Sequence, residues 1–272
     1  MAVAGKAHMA ARLIPLTLSL VRREIAGRYR GSVLGIAWSL INPLFMLAIY
    51  TLVFGGVFQA RWRVPGRVEE GHSMAEFAII LFAGLIVFQV FSEVVNRAPG
   101  LIIANANYVK RIVFPLEVLV PVVLGVALFH GAVSVVVLMV FEYFLMGGVP
   151  WTVLALPLVV VPFALLVLGF GWFFASLGTY LRDIGQFLGT AVMALMFLSP
   201  LFFQRESLPD WIRPWIILNP LTVPMEQARE VLLWGRLPDW LALGVYTAIA
   251  AMVCLLGFLF FQKTRKGFAD VL

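Results

Sequence analysis

The chain has 272 residues, of which 62% are hydrophobic and 12% charged, with a net charge of +6. A soluble domain carries about 25% charged residues, so this much apolar surface cannot be hidden within one fold and its solvent must be lipid. A single cysteine, Cys254, excludes an internal disulfide and a cysteine metal cluster, and His8, His72 and His130 are too far apart to form a ligand pattern.

The first predicted element is an amphipathic helix over residues 12–30. Ile14, Leu18, Val21, Ile25 and Tyr29 recur every three or four positions, the stripe of a helix. Arg22, Arg23, Arg28 and Arg30 crowd its end. Such a helix lies in the headgroup plane with its basic groups near anionic lipid. Gly27, Gly31 and Gly35 follow at intervals of four, where the chain turns into the bilayer. Two readings fit: an anchor that orients the first span, or a helix that also packs on a cytoplasmic partner. The arginines interrupt any apolar leader, so no cleavable signal peptide is predicted.

Six spans follow, at 34–58, 76–95, 116–142, 152–178, 184–203 and 240–262. About 20 apolar residues are needed to cross the hydrocarbon core. An even number puts both termini on one side. Placing them inside leaves thirteen of twenty Lys and Arg residues inside and seven outside, as the positive-inside rule favours. Trp62, Trp151, Trp211, Trp215, Trp234 and Trp240 then fall at the outer interface, and Trp38 and Trp172 toward the inner one.

Two connections stand out. The inner one, 96–111, holds a predicted short helix from Pro99 to about Asn107, then Tyr108, Lys110 and Arg111. The two cations suit either an inside anchor or a docking surface. The outer one, 205–236, holds a helix start at Ser207, Pro209 and Asp210, and a second helix capped by Thr222 and ended by Gly235. Both helices are too short to span. They form a re-entrant hairpin or an amphipathic outer loop.

Chemistry of its own is missing from the chain. It has no G-x-x-x-x-G-K-[ST], no G-x-S-x-G and no H-E-x-x-H. Glu93, Glu117 and Glu142 fall near predicted span ends, and only His130 is deep. A lone histidine reads first as a packed, hydrogen-bonded residue and second as a proton relay. The energy source is therefore expected outside this chain. Aromatics along the spans, Trp38, Phe45, Tyr50 and Phe197 among them, are lipid-facing or core residues, or stacking surfaces for sugar rings.

Four stretches in order carry a resemblance: "RYRGSVLGIAWSLINPLFMLAIYTLVFG", "NANYVKRIVFPLEVL", "LRDIGQFLGTAVMALMFLSPLFF" and "NPLTVPMEQAREVLLWG". Together they resemble the membrane subunit of type-2 ABC exporters for polysaccharides, the O-antigen and teichoic-acid group, over nearly the whole chain. The resemblance implies an all-α bundle of six spans that dimerises and binds no nucleic acid. It implies two copies of a separate cytoplasmic ATPase, which holds ATP and Mg while this chain binds no cofactor. It implies a lipid-linked polysaccharide substrate, on an undecaprenyl-type carrier, in the bacterial inner membrane. Stretch 96–111, with Asn105, Asn107, Tyr108, Lys110 and Arg111, corresponds to the coupling loop. Arg22, Arg23, Arg28 and Arg30 belong to the interface helix. The first and fifth spans, with Trp38, Asn42, Phe45, Tyr50 and Phe197, correspond to the channel wall. The outer hairpin, with Pro209, Trp211, Pro220, Glu226 and Glu230, corresponds to a gate. Teichoic acid, a capsule polymer or a small amphiphile are alternative cargoes. An ion-coupled carrier or a membrane scaffold is the reading from another class. The charged segment 59–75 has no counterpart in this scheme.

Overall fold

A computed structural model describes residues 2–53, 74–111 and 114–272, and every described element is helical. α1 (Ala2–Tyr29) leads through a turn and a 3₁₀ turn, Gly35–Ala37, into α2 (Trp38–Tyr50). α3 (Met74–Ala104), α4 (Ala106–Arg111), α5 (Leu119–Met146), α6 (Leu156–Tyr180) and α7 (Ile184–Phe197) follow. Then come α8 (Arg213–Ile217), α9 (Thr222–Leu232), α10 (Trp240–Thr264) and α11 (Phe268–Val271). Segment 59–75 falls almost wholly outside the described residues, as does the end of the expected first span.

α3 is the central post. α5, α6, α7 and α9 all pack on it, and α10 lies along α6. The α6–α10 seam is built on two glycines. A Cβ on Gly169 would meet the Val253 backbone at 2.6 Å, and one on Gly257 would strike the Gly169 carbonyl. Small residues let two backbones approach where lipid supplies no hydrophobic drive. The ends obey local chemistry. Asp239 caps α10 by accepting from the Leu241 and Ala242 amides at 3.0 and 3.2 Å. Gly147, at φ 80°, closes α5. Gly31 and Gly35, at φ 84° and 51°, make the turn out of α1, a conformation that side chains resist.

Among the described residues, five helical segments are long and apolar enough to cross a membrane: Gly35–Val53, Glu76–Ala104, Leu116–Met146, Trp151–Tyr180 and Trp240–Val271. The fifth expected span, 184–203, is the shorter helix α7, of 14 residues. It stops just before Ser199 and Pro200, a proline that cannot continue a helix. Three local expectations also change. α3 runs straight through Pro99, so no helix begins there, and the separate inner helix is α4. Gly178 of α6 makes room, since a Cβ there would collide with the Pro99 backbone. No α-helix starts at Ser207–Asp210; a 3₁₀ turn, Arg205–Ser207, and α8 occupy that stretch. Thr222 does not cap α9: its hydroxyl donates back to the Ile216 carbonyl at 2.6 Å.

The later part of α1 and the last helix, α11, meet at the same end of the bundle. The later part of α1 reaches α4 through Arg23, and α11 packs against α4 and α6. Phe268 is fully buried beside Phe261 and Tyr180, and Arg265 pairs with Glu117 at 3.0 Å.

Candidate functional site

α1 and α4, the segments expected as interface helix and coupling loop, are separate in sequence and come together at this end of the bundle. Arg23 donates to the Tyr108 hydroxyl at 3.2 Å, and the Tyr108 ring stacks on Phe114 at 4.5 Å. Arg97, near the inner end of α3, binds Glu24 of α1 at 2.6 Å. Asn105 turns α3 into α4 and donates to the Leu101 carbonyl at 2.8 Å. Asn107, Arg22 and Arg30 are exposed. Lys110 and Arg111 close α4, and their side chains lie outside the described residues. The apolar stripe of α1 divides: Ile14 and Leu18 are open, while Val21, Ile25 and Tyr29 are half-buried, with Val21 seated over Gly125 of α5.

Beneath the end of α1, a polar cavity of about 640 Å³ opens between α2, α3 and α5. Arg28 pairs with Glu93 at 2.5 Å, and His130 lies 3.4 Å from the same carboxylate and 2.9 Å from the Tyr29 hydroxyl. His130 is thus packed and hydrogen-bonded. Glu93, expected at a span end, sits well inside α3, because α3 continues another three turns past it. Asn42, Gln89, Ser92 and Asn96 line the remaining wall.

The expected channel residues divide as well. Trp38, Asn42 and Phe45 lie on one open face of α2, with Trp38 40% and Phe45 63% exposed. Tyr50 is half-buried and packs against the core. On α7, Phe197 is exposed beside Phe187 and Met193, and stacks on Phe202 at 5.8 Å. The open faces of α2 and α7 also carry polar groups: Asn42 on one, Gln186 and Thr190 on the other. α10 is equally open, but its bare residues within the span, Val245, Ile249, Met252, Leu255, Leu256 and Leu259, are aliphatic. Lipid suits the α10 face; the Asn42 and Gln186 carboxamides on the α2 and α7 faces call for water or a polar ligand.

At the opposite end, α9 packs over the bundle against α3 and α6, with α8 against it. Arg229 fastens them. It is 1% exposed and donates to the carbonyls of Ile80, Pro200 and Leu201 at 3.1, 2.6 and 3.2 Å. Burial pulls its pKa down to about 10, opposed by Glu226, so it keeps its charge at neutral pH. Gly84 of α3 provides the space: a Cβ there would meet the guanidinium at 2.6 Å. Thr152 donates to the Val231 carbonyl at 2.7 Å, and Asn219 ties the hairpin to Leu198 and Ser199. Among the expected gate residues, Glu226 pairs with Arg205 at 3.4 Å, the Pro220 carbonyl accepts from Tyr246, and Pro209 and Trp211 are exposed. Glu226 and Glu230 face a cavity of about 690 Å³ at this end. Sequence reasoning passed over Arg229; the signal was an arginine one position from the acidic stripe of α9, on the helix side that had to be buried.

The bundle defines a multi-pass membrane protein with a charged end, open polar-aromatic faces and a helical hairpin fastened at the opposite end. Residues 15–233 match the ABC-2 type transporter family, and the chain belongs to it. The chain is 26% identical over 263 residues to the O-antigen export system permease protein of Klebsiella pneumoniae, covering 96% of each. Its counterpart in Myxococcus xanthus is 25% identical, covering 94% of each. The polysialic acid transport protein of Escherichia coli is 28% identical, covering 91% of this chain and 92% of that one.

Proposed function

We propose that this chain is the channel-forming subunit of an ATP-driven exporter that carries lipid-linked polysaccharide, O-antigen-like, out across the bacterial inner membrane. Two copies of the chain face each other, and two copies of a separate ABC ATPase bind below them and hold ATP and Mg. The observation that carries this reading is the pair of open faces on α2 and α7, which bring Trp38, Asn42, Phe45 and Phe197 to the surface of a single chain. A second copy closes those faces into a path with polar and aromatic walls. Relatives named for O-antigen export and for polysialic acid transport each cover more than nine-tenths of this chain, which supports a polysaccharide cargo.

The rest follows from position. The later part of α1 and the last helix, α11, meet at the α4 end, which the Lys and Arg count puts in the cytoplasm; with both termini there, α7 must cross together with the segment after it. Asn105, Asn107, Tyr108, Lys110 and Arg111 receive the ATPase, and Arg22, Arg23, Arg28 and Arg30 hold the interface helix against that contact. Pro209, Trp211, Pro220, Glu226 and Glu230 form the outer gate. A polymer is too long to enclose, so it threads the path end-on while its lipid leaves sideways.

Deleting the chain should make lipid-linked polymer accumulate on the cytoplasmic side, with none at the cell surface. Restoring the chain should clear it. Normal surface polymer in the deleted strain would contradict the reading.

A further inference from the structure

The polar cavity under α1 is larger than its ion pairs require. Its charges are already matched: Glu93 takes Arg28 and lies near Arg97 and His130, and Arg97 also binds Glu24. What remains is uncharged. Gln89, Ser92 and Asn96 stand on one face of α3, three and four residues apart, and Asn42 faces them from α2. Among the described residues, none of these four side chains takes part in a hydrogen bond. Yet α2 and α3 are apolar helices of membrane-spanning length, and lipid offers such groups no partner.

We infer that this cavity is a binding site for an uncharged sugar unit attached to a membrane lipid. The assignment rests on the export reading above and names where that substrate is held before it moves. Carboxamides and hydroxyls each donate and accept, which matches adjacent sugar hydroxyls. Pro43 and Met46 supply an apolar wall for the C–H face of the ring. A free phosphate or a metal would meet guanidinium and carboxylate groups that already neutralise one another. The site favours a membrane-borne sugar over a dissolved one because it lies within the spans. From Gln89 to Asn96 it covers about 10 Å of α3, directly below the helix expected at headgroup level.

The test uses the chain assembled with its ATPase in lipid nanodiscs. The probe is the lipid-linked glycan fraction extracted from cells lacking the chain, with sugar-free polyprenyl diphosphate as comparison. Each lost uncharged hydrogen bond corresponds to roughly a two- to tenfold loss of affinity. Gln89→Leu with Asn96→Leu should therefore weaken glycolipid binding about tenfold or more and leave polyprenyl diphosphate within about twofold. Leucine at these depths favours insertion, so the variant should assemble. In a Cys254→Ser background, Asn96→Cys should react with a small maleimide, and the glycolipid should slow that reaction several-fold. Equal losses for both lipids, unchanged affinities or no protection of position 96 would each overturn the assignment. If the deleted cells hold no lipid-linked glycan, the export reading falls and this site with it. If they hold it and the variants bind it normally, only this site falls.

Discussion

α2 and α3 are both apolar helices of spanning segments, but only Ser39, Pro43 and Leu47 of α2 are buried, whereas most of α3 is buried. Composition sends both into lipid, and packing separates their roles. α3 is the post that carries the outer hairpin, the polar cavity and the inner loop. α2 is a wall with one side in contact and the other bare. Fixed and open regions thus share one kind of sequence, and what distinguishes them is where glycines, an arginine and polar side chains interrupt it.

The fixed region can be broken most sharply at Arg229. Arg229→Met leaves three backbone carbonyls without their charged donor and should cost about 4 kcal/mol of stability, read as thermal unfolding of the purified protein. A loss well under ~1 kcal/mol would mean that the hairpin is held by its apolar contacts alone.

At the inner end, Lys110→Glu with Arg111→Glu should weaken ATPase binding by about 3 kcal/mol or uncouple hydrolysis from export. Transport per ATP in protein recovered from the membrane separates this from a mere anchor. An anchor would lower expression and leave the surviving protein coupled.

Gly84→Ala touches the fixed region more gently. Its new methyl lies 2.6 Å from the Arg229 guanidinium and 2.8 Å from the Leu201 side chain, so it should destabilise by about 2 kcal/mol. Gly100→Ala on the same helix meets nothing within 4 Å and is the matched control.

The open region should behave in the opposite way. Trp38→Ala and Phe45→Ala should leave unfolding temperature nearly unchanged and cut export, with about 1 kcal/mol per stacked ring as the scale. Tyr50→Ala should instead lower stability, because Tyr50 packs on the core. If all three behave alike, the contrast between wall and post fails.

Much of this was legible beforehand, because it rests on local composition. The all-helical class, five of the expected spans as long apolar helices and the turn at Gly235 all follow from apolar length and turn residues. Span 184–203 shortened because Ser199 and Pro200 end α7 within a sequence that stays apolar. The helix expected at Pro99 failed because a partner glycine, Gly178, let α3 continue. The Arg229 fastening depends on carbonyls 28, 29 and 149 residues away, and no local pattern encodes such distances. The Arg28–Glu93–His130 cluster spans three elements and was hidden for the same reason.

Cysteine accessibility tests the central claim most directly: the open faces of α2 and α7 line a polar path, while that of α10 meets lipid. In a Cys254→Ser background, single cysteines replace Asn42, Phe45 and Phe197 on one side and Leu255 on the other. The chain is assembled with its ATPase and labelled with a membrane-impermeant maleimide, with and without nucleotide. The account predicts labelling at 42, 45 and 197 that changes with nucleotide, and none at 255, which should react only with a lipid-soluble reagent. Positions 42, 45 and 197 as silent as 255 in every state would contradict it.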